Sequence, residues 1–91
     1  MANYRLVVKK SVAKDLRHLP NKDVERILKR INLLCENPRS EGCIKLSGQE
    51  RYRVRQGVYR IIYEIQDDEL VIVVVKVAHR GDVYQNNWFR L

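Results

Sequence analysis

The chain has 91 residues, with 18 Lys and Arg against 11 Asp and Glu and a formal net charge of +7. That length allows one sheet-and-helix core but not two independent ones, so residues 1–91 are expected to form a single domain. The charge calls for an acidic partner, whether nucleic acid, an anionic membrane surface or an acidic protein, without choosing among them. No apolar run approaches the roughly 20 residues needed to span a bilayer, and the amino terminus lacks the apolar core of a signal peptide. A cytoplasmic protein without membrane association is therefore expected. Cys35 and Cys43 do not form a CxxC pair and read as small apolar residues. No metal-ligand spacing is visible, and no cofactor is expected.

In chain order, Tyr4, Leu6 and Val8 alternate with polar or outward positions and predict a first strand with those three facing inward. Ser11 is placed to cap a short basic helix over 12–19, with Val12, Leu16 and Leu19 on one side and Pro20 closing it. A second helix follows, capped by Asn21 and ended by Asn37 and Pro38. Its apolar stripe is Val24, Ile27, Leu28, Ile31, Leu34 and Cys35; Lys22, Glu25, Arg26, Lys29 and Arg30 form a solvated face. From Pro38 to Gly48 periodicity is lost, and Ile44, Lys45 and Leu46 read as a short apolar piece within a loop.

The stretch 51–63 carries most of the information. Arg51, Arg53 and Arg55 alternate with Tyr52 and Val54, so the arginines share one face of a strand. A turn at Gln56 and Gly57 leads into a second strand and sets Arg53 opposite Arg60, and Val54 opposite Tyr59 on the reverse face. Like charges facing each other across a ladder are destabilising. Folding alone gives little reason for that arrangement, whereas an anion between guanidinium groups, such as phosphate, explains it.

After Ile65, residues 66–69 read as a turn, and 70–77 is nearly continuous β-branched sequence, expected of a strand covered on both faces. With a two-residue turn at Asp67 and Asp68, Arg60 pairs with Val75, and Val77 and His79 fall on the arginine face while Arg80 does not. A bulge, a longer turn or an earlier strand end would change that parity. Beyond it a turn and a short carboxyl-terminal helix are expected, with Trp88, Phe89 and Leu91 docking on the sheet. The predicted class is α+β, in the order strand, helix, helix, three strands. Two helices pack on one face of an antiparallel-rich sheet, and the arginines lie on the other.

Several segments taken together resemble a family. They are Asn37-Pro38-Arg39, Lys45-Leu46-Ser47-Gly48, Tyr52-Arg53-Val54-Arg55, Tyr59-Arg60-Ile61-Ile62-Tyr63 and His79-Arg80-Gly81-Asp82-Val83-Tyr84. The ordered set, covering nearly the whole chain, resembles the RelE toxins of the RelE/ParE superfamily. That resemblance implies a type II toxin held inactive by a cognate RelB-like antitoxin, which cleaves messenger RNA in the A site of the 70S ribosome without a metal. It implies operator DNA as a partner only through the antitoxin complex. It also implies catalytic positions at Arg53, Arg55, Arg60, Arg80 and Tyr84, with arginine at the first two where the type member has lysine.

The residue types suit that chemistry. RNA supplies its own nucleophile, the ribose 2′-hydroxyl. The protein must align it, take its proton, stabilise the added negative charge and assist the leaving 5′-oxygen. Arg53, Arg55 and Arg60 suit the charge as forked phosphate donors, but arginine is effectively always protonated and so a poor base. Arg80 suits the leaving oxygen. Tyr84 is assigned to base stacking or proton transfer, with a packing anchor as the alternative. His79 is either a second proton carrier or a strand-end surface residue. Arg51 and Lys45 are read as peripheral RNA contacts. Two competing functions stand beside this one: a ParE-like non-enzymatic toxin that binds DNA gyrase, and a basic RNA-binding module without chemistry.

Overall fold

The computed structural model describes residues 3–46, 48 and 50–79. Its elements are β1 (Arg5–Val8), α1 (Lys10–Arg17), α2 (Asn21–Glu36), β2 (Ile44–Lys45), β3 (Arg51–Gln56), β4 (Tyr59–Gln66) and β5 (Val71–His79). The strands form one sheet in the order β1-β5-β4-β3-β2. β1 runs parallel to β5, and every other pairing is antiparallel. No described helix is long and apolar enough to cross a membrane. The expected carboxyl-terminal helix and its anchors Trp88, Phe89 and Leu91 lie outside the described residues.

Both helices begin on backbone acceptors instead of the predicted side-chain caps. The Lys9 carbonyl takes the amides of Val12 and Ala13 at 2.9 and 3.3 Å, so α1 starts before Ser11, and neither helix has a side-chain cap bond. The Pro20 carbonyl takes Asp23 and Val24 at 3.0 and 3.1 Å. Proline, with its fixed φ, thus opens α2 instead of merely closing α1, and Asn21 is the first helical residue. The predicted stripe faces the sheet: Ile27, Ile31 and Leu34 are fully buried, and only Leu28 lies at the margin, 41% exposed. Burying each such side chain contributes about 1.5–3 kcal/mol. Val12 is fully buried, with Leu16 and Leu19 packed against the same core.

Of the three residues expected inward along the first strand, only Tyr4 packs against the core, and Leu6 and Val8 are 38% and 37% exposed; beyond that strand the sheet departs from expectation at three places. β2 is a fifth strand that the sequence reading left in a loop; it pairs Ile44 with Arg53 and Lys45 with Tyr52. Two residues are too few to show a period. The β3–β4 turn is Gly57 and Val58, not Gln56 and Gly57, so Arg55 faces Arg60, Arg53 faces Ile62 and Val54 faces Ile61. Gly57 has φ +60 and Val58 does not have positive φ. This is the sign pattern of a type II′ turn, which needs glycine at its first central position; the predicted turn would have forced Gln56 there. The shift moves every partner by two residues, so each side chain keeps its face.

The third departure lies between β4 and β5. Gln66 pairs with Val71 across a turn at 67–70, while Ile62 pairs with Lys76 and Tyr63 with Val74, leaving Val75 as the extra residue of a bulge. The longer turn shifts the predicted register by an even number and preserves parity; the bulge reverses it. Consequently Ile72, Val74 and Val77 enter the core beneath the helices. Lys76 and Ala78, rather than Val77 and His79, join the arginine face in β5.

Candidate nucleic-acid interface

On the face away from the core, cross-strand partners form rows, because residues directly opposite in an antiparallel pair project to the same side. The row nearest the β3–β4 turn is Arg55, Arg60 and Ala78; the next is Arg53, Ile62 and Lys76; a third contains Arg51 and Glu64. Arg55 is exposed, Arg53 half-buried and Arg60 only 5% exposed. Arg60 therefore holds its charge against the sheet, while the Arg55 guanidinium reaches water. Beside them Ala78 contributes only a methyl group and is itself buried, so the row is exposed at Arg55 and covered on its β5 side.

The cations differ in how they are balanced. Arg51, expected at the periphery of an RNA site, donates to Glu64 at 3.0 Å across the ladder, so its charge is balanced within the sheet. Lys45 is exposed and lies 3.6 Å from Glu50, a loose surface pair. Lys76, which sequence reasoning missed, donates to Asp15 of α1 at 3.2 Å. Arg55 forms no ion pair with a described residue. The exposed Arg55 thus stands at the turn end of the hairpin.

His79 is not on this surface. It pairs with Tyr59, and their rings meet edge to face at 6.0 Å, on the side that carries the core. Together with Asp15, His18, Leu19, Lys76, Val77 and Ala78, they line a cavity between α1 and the end of β5. Tyr59 donates its hydroxyl to Asp23 of α2 at 2.8 Å, and this bond to a carboxylate raises its pKa. Tyr63 is fully buried and donates to the Pro38 carbonyl at 2.7 Å; burial pushes its phenol well above the ordinary range. Tyr4 is raised by its bond to Asp67. None of these three phenols is adapted to surrender a proton near neutral pH.

At the opposite end of the hairpin, Arg39 forks onto Asp67 at 2.9 and 3.2 Å, and Tyr4 donates to the same carboxylate at 2.8 Å. The Arg39 guanidinium lies over Tyr52 at 5.4 Å, and Tyr52 stacks on Tyr63 at 5.9 Å between centroids. This network joins the connection after α2 to the β4–β5 turn. It gives Arg39 a structural task.

The family described as ParE toxin of type II toxin-antitoxin system matches residues 6–84, most of the chain. The chain is a RelE/ParE-family toxin. Toxin RelE3 of Methanocaldococcus jannaschii is 34% identical over 89 residues, covering 88% of this chain and 94% of that protein. The archaeal RelE–RelB complex from Pyrococcus horikoshii shares 36% identity and a TM-score of 0.77, covering 89% of this chain and 98% of the toxin's relative. A mutant RelE of E. coli in the free state has a TM-score of 0.76 at 26% identity, covering 98% of each chain.

Within this toxin the structure brings Arg53, Arg55 and Arg60 to one face and adds Lys76 to them. It separates His79 from them and engages Arg51 with Glu64. Arg80 and Tyr84 lie outside the described residues. The lysine was hidden because its face depends on a single bulge residue, which no two-residue periodicity announces.

Proposed function

We propose that this toxin is a metal-independent endoribonuclease that cleaves messenger RNA in the ribosomal A site and so stops translation. The observation that carries the reading is the Arg55–Arg60 pair, set directly opposite in the ladder and flanked on the same face by Arg53. Two like charges in register cost stability, and a phosphodiester placed between them reverses that cost. The reaction requires in-line attack by the ribose 2′-oxygen on the adjacent phosphorus, giving a 2′,3′-cyclic phosphate and a 5′-hydroxyl. Arg55 and Arg53 meet the phosphate oxygens. Arg60, withdrawn from water, acts on the developing charge in a less screened environment.

In the same proposal Arg80 serves the leaving oxygen and Tyr84 stacks on a base or carries the proton. His79 drops out, because it faces the core side with Tyr59. Similarity to RelE–RelB complexes supports a RelB-like antitoxin as the cytoplasmic partner. Its acidic or amphipathic segment would cover the arginine face or displace the carboxyl-terminal segment, and operator DNA would be met only through that complex. Arg55→Ala tests the reading: kcat/KM on ribosome-bound message should fall by about 10²–10³, and an unchanged value would remove Arg55 from the reaction.

The match to a family described as ParE favours one second reading, a non-enzymatic toxin that binds DNA gyrase. Purified toxin and purified gyrase separate the two. Gyrase inhibition without cleavage of ribosome-bound message would establish the second reading.

A further inference from the structure

We infer that Tyr59 is a positioning residue for RNA cleavage: tied to Asp23 of α2 and to His79 of β5, it braces the turn end of the sheet and so fixes the Arg55–Arg60 row. This rests on the RNA-cleaving reading above.

The row stands where the sheet has least support. Only the Gln56–Tyr59 pair separates it from the Gly57-Val58 turn, and β2 pairs no further along β3 than Arg53. Arg55 therefore has no neighbouring strand among the described residues on its outer side. Arginines directly opposite each other in a ladder repel, and the burial of Arg60 leaves little water to screen its charge. That repulsion pushes the turn end of the hairpin apart. A row meant to meet a phosphate with fixed spacing needs a hold from its other face.

Tyr59 is that hold. It precedes Arg60 in β4, so its side chain takes the opposite face, where it is buried in the core. It belongs to the last cross-strand pair on both of its sides, with Gln56 of β3 and with His79 of β5. Its hydroxyl donates to Asp23 at 2.8 Å, and its ring meets that of His79 edge to face at 6.0 Å. Asp23 lies in the first turn of α2, where the helix dipole favours a carboxylate, and α2 is fastened to the sheet by Ile27, Ile31 and Leu34. One side chain thus joins the β3–β4 turn end, α2 and the end of β5. Arg80, which the proposed reaction gives to the leaving oxygen, is the next residue in the chain after His79. Filling the core does not require the hydroxyl, since phenylalanine has nearly the same volume; what the hydroxyl adds is the charge-assisted bond to α2. Tyr63 offers an internal comparison. It shares the strand and the core, and its hydroxyl bonds the Pro38 carbonyl, but no arginine row adjoins it.

The test compares Tyr59→Phe with Tyr63→Phe in the full chain, each shown by thermal unfolding to be folded at the assay temperature. Three quantities are measured: single-turnover cleavage of message on stalled 70S ribosomes at saturating toxin, affinity for those ribosomes, and amide hydrogen exchange. Tyr59→Phe should slow cleavage by about 10–10²-fold, the effect of a small misplacement of groups that must meet the transition state, and leave affinity unchanged. Exchange should quicken at residues 55–60 and stay slow at 63–66. Tyr63→Phe should lose stability yet cleave at the wild-type rate. Asp23→Ala should match Tyr59→Phe, and Asp23→Asn, whose amide oxygen still accepts the bond, should recover most of the rate. Wild-type cleavage by Tyr59→Phe overturns the inference. So does a Tyr63→Phe variant slowed as much as Tyr59→Phe, because lost stability then explains both. If wild-type toxin leaves the message intact, the cleavage reading itself fails and the role of Tyr59 falls with it.

Discussion

Asp67 shows how one side chain can be probed through pH. The Arg39 guanidinium, and then the Tyr4 hydroxyl, hold its carboxyl below the usual carboxylate range. A depressed folded pKa contributes stability that is fully present above the unfolded value of about 3.9 and is lost as pH falls through the folded value. Asp67→Asn should therefore lower the unfolding temperature at neutral pH, and the deficit should shrink as pH drops below 4. A deficit independent of pH between 2 and 7 would show that the carboxylate is not what matters. Because the Arg39–Asp67 pair is about half exposed, at 48% and 52%, added salt should also shrink the deficit. Tyr63 behaves differently, since its partner is a buried carbonyl. Tyr63→Phe leaves the Pro38 oxygen unsatisfied and should cost about 1–2 kcal/mol by chemical denaturation, with little salt dependence.

At the scale of elements, two turns carry backbone conformations that set the register. Gly57 has φ +60, and a side chain added there would meet nothing within 4 Å, so Gly57→Ala tests the backbone alone. It should cost about 1 kcal/mol or slightly more, measured by urea unfolding. Leu70 has φ +55 and is 41% exposed at the end of the β4–β5 turn. Relief of its left-handed backbone should outweigh the entropy added to the unfolded chain, so Leu70→Gly should hold or raise the unfolding temperature. A clear fall would mean that the leucine side chain contributes more than its exposure implies.

These same elements show what the sequence made legible. The α2 stripe and the β3 alternation each repeat a period long enough to read, and their buried faces are the expected ones, while the Val-rich run of β5 was legible as a covered strand but not in the side that each residue takes. The arginine face was legible because Arg53, Arg55 and Arg60 stand at strand spacing around a turn, and a two-residue error in register leaves their side unchanged. The face of Lys76 and His79 was not legible, since a one-residue bulge exchanges them. β2 was too short to show alternation, and the pairing of β1 with β5, distant in sequence, leaves no local signal.

Across the whole molecule, charge is divided between two surfaces. Among the described residues, one is the sheet face, where Glu64 pairs with Arg51 and Asp15 with Lys76 and Arg55 is exposed at the turn end. The other is the helical layer, where Lys9, Lys10, Lys14, Arg17, Lys22, Arg26 and Lys29 are exposed. A chain with this distribution should associate with ribosomes at a rate that falls steeply with ionic strength, whereas cleavage by the bound toxin should change little. Stopped-flow association against single-turnover cleavage, at matched salt, separates the two. The account stands most directly on the reaction itself. Purified toxin is added to 70S ribosomes stalled on a defined message, and the RNA is mapped by primer extension with analysis of its new ends. The account predicts cuts confined to the A-site codon, ending in 2′,3′-cyclic phosphate and 5′-hydroxyl and lost in Arg55→Ala. Intact message in the presence of folded wild-type toxin would contradict it.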